Sequence, residues 1–219
     1  MKNKAFTLAE ALIVIMILGV VAALTIPALM SSYMRTACAN QLKRVTVEIT
    51  TAAKTIIADE KADEENTANN VDMVGDQTGF YYTKAGSSTS GATQGAQYFL
   101  ENFFKHNFTG RANTIANTIY KNSTKAEIGT IPAEYTDCIQ TPTTAIICMH
   151  YVNNHQRIFV DVNGKKKPNT AGVDLFVMQI TDTGSLEDIQ NNECGTGNDV
   201  TAAASGCFTK VSNNNWRIE

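Results

Sequence analysis

Four cysteines in the second half of the chain are the side chains best able to form covalent cross-links. They fall into two pairs that are close in sequence, Cys138 with Cys148 and Cys194 with Cys207. Paired cysteines at such spacing are typical of disulfides in proteins exported to an oxidising compartment. We therefore predict two disulfide bridges, each closing a short loop.

A zinc site is the competing interpretation of the first pair. Cys138, Cys148, His150 and His155 carry sulfur and nitrogen ligands, and alternate residues of a strand put Cys148 and His150 on one face. Export would favour the disulfides over zinc. The fifth cysteine, Cys38, stands alone, and we expect it to pack as a small apolar residue.

A carboxylate in an apolar segment is the second chemical feature. Glu10 is the only charged residue between Lys4 and Arg35. A carboxylate facing hydrocarbon is costly, so its presence inside a membrane span indicates a function and requires a partner. No basic residue of this chain lies inside the span to act as that partner.

The apolar segment itself predicts a membrane-spanning helix. Between residues 11 and 34 only Tyr33 has an ionisable side chain, and the run exceeds the roughly 20 residues that a span requires. An ordinary secretory signal has a shorter apolar core, roughly 7 to 15 residues, followed by a small-residue cleavage site. Lys2 and Lys4 should hold the amino end in the cytoplasm, which places the chain after Arg35 outside it.

Composition indicates a folded chain without a broad basic face. The protein has 219 residues, 43% of them hydrophobic and 18% charged, with a net charge of -3 and a pI near 5.7. Such a chain can bury an ordinary core, and we expect no nucleic-acid partner. The sequence contains no GxSxG, HExxH or Walker motif, so we expect neither an enzyme nor a cofactor.

The predicted elements are one long helix followed by a small sheet. Beyond the span an apolar stripe continues at steps of three and four, which predicts that the helix extends to about residue 59, or about 80 Å from Phe6. Within residues 67–131, the segment "AQYFLENFFKHNF" carries aromatics at helical spacing and predicts a short helix. The stripe consists of Cys38, Leu42, Val45, Ile49, Ala52 or Ala53, and Ile56.

The last third of the chain changes to a strand pattern. The segments "AIICMHYV", "QRIFVDV" and "VDLFVMQI" are rich in branched and aromatic residues and predict three antiparallel strands. The terminal "CFTKVSNNNWRIE" is expected to form a final hairpin or strand, tied down by Cys194 and Cys207. The fold class is therefore α+β, a long amino-terminal helix packed on a small antiparallel sheet.

The amino-terminal sequence "KAFTLAEALIVIMILGVVAALTIPALM" resembles type IV pilins and the pseudopilins of type II secretion and competence machines. The resemblance implies that a prepilin peptidase cuts between Ala5 and Phe6 and methylates the new amino group. Glu10, Gly19 and Pro27 occupy the positions usual in that family. Ala5 departs from the family, which prefers glycine before the cut.

The resemblance also supplies the missing partner of Glu10. In a fibre the amino group of Phe6 would meet Glu10 of a neighbouring subunit, which neutralises both charges in an apolar core. Pro27 would permit a bend when subunits pack, although it could equally kink a simple membrane anchor. The implied partners are other pilin or pseudopilin subunits, the prepilin peptidase, an inner-membrane assembly platform, and membrane lipid before assembly.

The expected organisation has three parts. Residues 1–5 form the leader, residues 6–34 the transmembrane and assembly part of the helix, and residues 35–219 an extracytoplasmic pilin-like domain that includes the rest of the helix. We expect a single-pass protein of the cytoplasmic membrane that later enters an extracytoplasmic fibre. Two alternatives are a minor pilin acting as an adhesin or DNA-uptake subunit, and a membrane-anchored binding protein that does not assemble.

A second, shorter resemblance covers residues 160–176, "VDVNGKKKPNTAGVDLF", which is similar to a loop and strand of pseudopilin globular domains. Some pseudopilins bind calcium in loops near the sheet, and Asp161, Asn163 and Asp174 carry suitable oxygen ligands. The spacing is not that of an EF-hand. A structural turn, with its lysines in solvent, is the alternative and the one we favour.

Overall fold

The long helix at the amino end dominates the architecture. The computed structural model describes residues 7–64, 118–135, 137–152, 155–181 and 183–218. Helix α1 runs from Leu8 to Glu64, 57 residues or about 85 Å, and continues through Pro27. It extends about five residues beyond the end near residue 59 that the sequence predicted. The predicted aromatic helix at residues 96–108 lies outside the described residues.

Among the described residues, it is the second half of α1 that packs against the sheet. Its apolar stripe is buried against one face of the sheet from Cys38 to Ala53. The prediction from helical periodicity is confirmed for these residues, whereas the side chain of Ile56 lies outside the described part. The stripe residues and their sheet partners form one apolar core.

The sheet has five antiparallel strands in chain order. The three central strands are the three that the sequence pattern predicted, and each pairs with the next. The short outer strands had no clear pattern. The strands are β3 (Asp137–Gln140), β4 (Ile146–Val152), β5 (His155–Asp161), β6 (Leu175–Ile180) and β7 (Leu186–Glu187).

Alternation along the central strands gives the sheet two apolar faces. Ile147 of β4 lies opposite Val160 of β5, and both face α1. The adjacent residues on the two strands, Cys148 and Phe159, face the opposite side of the sheet. That second face is covered by the hairpin of β1 (Tyr120–Lys121) and β2 (Glu127–Gly129) and by helix α2 (Val200–Ala204). Covering both faces explains why β4 and β6 are largely apolar.

The expectation of a terminal hairpin is wrong, because residues Cys207–Asn213 form helix α3. Cys207 and Val211, four residues apart, are buried on the side of the sheet that faces α1. At its first turn the carboxylate of Asp188 accepts hydrogen bonds from the N–H groups of Phe208 (3.2 Å) and Thr209 (2.7 Å). A distant acidic residue therefore satisfies donors that the start of a helix leaves unpaired.

Candidate functional site

Glu10 lies in the first turn of α1 and is hydrogen-bonded to Thr7. The backbone N–H and the hydroxyl of Thr7 donate to Oε2 of Glu10 at 2.9 and 2.8 Å, and the N–H of Glu10 donates to the Thr7 hydroxyl at 3.3 Å. This reciprocal arrangement is a capping box. The sequence signal was the threonine three residues before the glutamate, and our sequence interpretation missed it.

The first half of α1 presents apolar side chains on every side. No stretch of the described residues other than the one within Leu8–Thr55 is long and apolar enough to cross a membrane, and none of its apolar window is buried in the domain. A helix that is apolar all round requires lipid or other helices around it. Its large exposed residues include Leu8, Leu12, Ile13, Ile15, Leu18, Val21, Leu24 and Leu29.

The structure describes only some of the predicted cleavage and pairing residues. Ala5 and Phe6 lie outside the described residues, so the pairing of the Phe6 amino group with Glu10 stays a prediction. Pro27 lies within α1, and its role as a kink also stays a prediction. Gly19 faces open space on the exposed half, since a Cβ added there would meet nothing within 4 Å.

Both predicted disulfides are present. Cys138 and Cys148 lie directly opposite each other on β3 and β4, with Cα atoms 4.1 Å apart. Cys194 is joined to Cys207 at the start of α3, with Cα atoms 4.5 Å apart. The zinc interpretation is therefore wrong, because both of its cysteine ligands are consumed by a disulfide.

The lone Cys38 is buried between α1 and the sheet, as expected of a packing residue. Removal from water raises the pKa of its thiol to about 12, and the nearby negative charges of Asp174 and Asp161 act in the same direction. The thiol is therefore protonated at neutral pH and inert as a nucleophile.

Two fully buried carboxylates, Asp161 and Asp174, lie at the two ends of the loop that resembles a pseudopilin segment. Asp161 accepts the Tyr120 hydroxyl at 2.6 Å and the N–H of Asn163 at 3.2 Å. Asp174 accepts the N–H groups of Asn169 and Thr170, both at 2.6 Å. Each carboxylate oxygen thus already accepts a hydrogen bond, which supports the interpretation as a structural turn.

The electrostatics of this pair follow from burial. Burial raises the pKa of Asp161 well above its usual range, and the neighbouring charge of Asp174 raises it further. Burial also raises the pKa of Asp174 to about 6, against the opposing effect of the loop N–H groups. In the described part of the chain, no three His, Cys, Asp or Glu side chains are grouped to hold a metal ion.

The sequence patterns did not identify Tyr120 or Asp188 as anchoring residues. Tyr120 reaches Asp161 across 41 positions, and Asp188 reaches Thr209 across 21. Only the tertiary fold brings these residues together.

Comparison with known proteins gives one match, and it lies on the segment that contains Glu10. Residues 1–26 match the family model described as the prokaryotic N-terminal methylation motif. No curated protein and no solved structure matches the chain significantly. The exposed apolar helix and this motif fit a membrane-anchored protein with an extracytoplasmic α+β domain. The chain therefore carries, at residues 1–26, the prepilin-type signal that type IV pilins and pseudopilins share.

Proposed function

We propose that the protein is a structural subunit of a type IV pilus or a type II secretion pseudopilus. The observation that carries the proposal is the coincidence of the methylation motif with a helix half whose apolar side chains are left exposed by the described part of the chain. The prepilin peptidase would release residues 1–5, and the remaining helix would pass from lipid into a bundle of identical or related helices.

The energetic argument rests on the exposed half of α1. Apolar surface left in water costs about 25 cal/mol per Å², so this segment requires either a bilayer or neighbouring subunits. The bilayer satisfies the apolar side chains but leaves the carboxylate of Glu10 in hydrocarbon, at about 2.5 to 3.5 kcal/mol on insertion scales. A neighbour that contributes a positive amino terminus would satisfy both, so assembly is favoured over the lipid state.

The folded domain leaves this half of α1 free to assemble. The fully buried contacts of the domain with α1 begin at Cys38, with Met34 partly buried beside them, and both faces of its sheet are already covered. The amino-terminal half can therefore pack with other helices without disturbing the sheet.

Processing is the first test of this proposal. Mass spectrometry of protein from cells that contain the peptidase should show a chain that begins at Phe6 with one added methyl group. Ala5→Gly should be cut at least as completely, since the family prefers glycine there, whereas bulky Ala5→Leu should leave uncut chain. A mature terminus beyond residue 24, as ordinary signal peptidase would leave, would contradict the proposal.

A further inference from the structure

A cleft lies between α1 and several turns of the domain, where the apolar half of the helix meets the domain. Its volume is about 710 Å³, within the range of small-molecule sites. Its apolar lining includes Pro27, Met30 and Met34 of α1 and Val173 and Ile218 of the domain. Cys194 of the second disulfide also lines the cleft.

All the charged residues in the described lining of the cleft are basic. There are five of them, beside neutral residues of the loops: Arg35, Lys125, Lys167, Lys210 and Arg217. All five are exposed. In the described ranges Arg44 pairs with Glu48, and none of the five cleft cations forms an ion pair with a described carboxylate. In a protein of net charge -3, this concentration of positive charge on one site favours an anionic ligand.

The position of the cleft along α1 specifies the kind of anion. Arg35 is the first charged residue after Glu10, and Pro27 and Met30 lie within the apolar segment that the bilayer would cover. The cleft therefore spans the boundary between hydrocarbon and water on the extracytoplasmic side. A ligand there must carry a negative group above that boundary and apolar chains below it.

We propose that this cleft binds the headgroup of an anionic phospholipid while the subunit is in the membrane. Phosphate oxygens would accept hydrogen bonds from Lys125, Lys167 and Lys210, and the acyl chains would lie along Met30 and Pro27. The inference rests on the membrane-inserted state of the proposed function and does not require fibre assembly. Bound lipid would hold the domain against the bilayer until a neighbouring subunit replaces the lipid.

The experiment measures lipid retained by the full-length chain. The protein is reconstituted in phosphatidylcholine nanodiscs with or without phosphatidylglycerol and extracted in mild detergent. Native mass spectrometry then measures the mass of the protein with the lipid that it retains. Wild type should retain phosphatidylglycerol in preference to phosphatidylcholine, and added salt should reduce that preference. In the double variant Lys167→Gln/Lys210→Gln, retention should fall about fivefold for each removed charge.

The control removes the same charge elsewhere. Lys166 is exposed beside Lys167 but does not line the cleft, and Lys54 is exposed on α1. Lys54→Gln/Lys166→Gln should retain phosphatidylglycerol within about twofold of wild type. Equal losses in the two double variants would show a general charge effect and would overturn the site, as would no loss in either.

A photoreactive phosphatidylglycerol gives a second measurement that needs no variant. Label should concentrate on peptides that contain Lys125, Lys167 or Lys210, and uniform labelling of α1 would overturn the proposal. If these peptides instead cross-link to another protein chain when phosphatidylcholine is the only lipid present, the cleft is a contact site for a second copy of the chain. Unchanged phosphatidylglycerol retention in Glu10 variants that fail to enter fibres would support the lipid site even though assembly had failed.

Discussion

Glu10 has two separable roles, because the same carboxylate closes the capping box with Thr7 and carries the charge that we assign to assembly. Inside the single chain, the Thr7 N–H and hydroxyl both donate to it. A glutamine can accept the same hydrogen bonds but carries no charge. Substitution with glutamine therefore isolates the charge from the cap.

We predict that Glu10→Gln and Glu10→Val both insert and are cleaved but enter wild-type fibres poorly. The loss leaves the neighbour's amino group buried without a counter-charge, at about 3 to 5 kcal/mol. Valine should also improve insertion, since it removes a charge from the apolar span. Cross-linking and shear fractionation separate the membrane pool from the fibre.

The matched control for this test is Thr7→Ala, which weakens the cap by about 1 kcal/mol and keeps the charge. It should enter fibres nearly as wild type does. If Thr7→Ala fails as badly as Glu10→Gln, the cap and not the charge is what assembly requires.

The buried pair Asp161 and Asp174 predicts a dependence of stability on pH. Both folded-state pKa values are raised, that of Asp174 to about 6, so the native state binds more protons than the unfolded chain. The contribution of Asp174 is fully present below its unfolded pKa near 4 and is lost as pH rises through about 6, and that of Asp161 is lost as pH rises through its own raised pKa. We expect the unfolding free energy of detergent-solubilised protein to fall by roughly 1 to 3 kcal/mol across that window.

Asparagine substitutions test the same pair. Asp161→Asn removes one charge, so the unfolding free energy should fall less as pH rises. The Tyr120 hydroxyl can accept a hydrogen bond from the new amide, so the substitution itself should cost little stability. Asp174→Asn leaves an amide NH₂ facing a backbone N–H of Asn169 or Thr170, and should cost about 1 to 3 kcal/mol. Equal stability of the two variants at pH 5 would contradict this account.

At the scale of single residues, the sequence revealed those whose role depends on nearby positions in the chain. The cysteine pairs and the isolated Glu10 were identifiable from spacing and from the absence of other charges. The bond from Tyr120 to Asp161 was not, because it joins residues 41 positions apart and depends on how the hairpin of β1 and β2 covers the sheet. Burial, which raises the pKa values of the aspartates, is likewise a tertiary property.

At the scale of elements, long periodic segments were predicted correctly and short ones were not. The stripe on α1 and the apolar runs of β4 to β6 repeat often enough to define a period. The seven residues of α3 do not, and this helix depends on the Asp188 carboxylate and on the disulfide at Cys207. The outer strands β3 and β7 are too short to stand out from the loops beside them.

The turn before β6 gives a prediction at this scale. Gly172 has φ +79°, and a Cβ there would collide with Cys194 Sγ and come within 2.9 Å of Cys207 Sγ. Gly172→Ala should therefore destabilise the protein by about 2 to 5 kcal/mol, the sum of backbone strain and overpacking. Denaturant unfolding without reductant measures this, and peptide mapping reports the fraction of the Cys194–Cys207 bridge.

Gly129→Ala is the control for the turn, because Gly129 has φ +98° but an added Cβ would meet nothing within 4 Å. It should cost only the backbone strain, about 1 to 2 kcal/mol. Equal costs at Gly129 and Gly172 would show that contact with the disulfide contributes nothing.

At the scale of the molecule, α1 lies in two environments that one pair of substitutions can compare. Ile49 is fully buried against the sheet, whereas Ile15 is 62% exposed. Ile49→Ala should lower the unfolding free energy of the domain by about 2 to 5 kcal/mol. Ile15→Ala should change it by less than about 0.5 kcal/mol and instead weaken fibre assembly. Equal destabilisation of the isolated subunit would mean that the two halves of α1 are not independent.

The continuity of α1 determines how a fibre of such subunits would carry tension. Load transmitted along the bundled amino-terminal halves enters each domain through the stripe from Cys38 to Ala53, about 24 Å of a helix that is continuous with those halves. Sliding the helix out would require the stripe side chains to leave their partners together, in shear. A hinge at the membrane boundary would let those contacts peel apart one at a time, at much lower force. The unbroken helix therefore makes detachment of a domain from its fibre an all-or-none event.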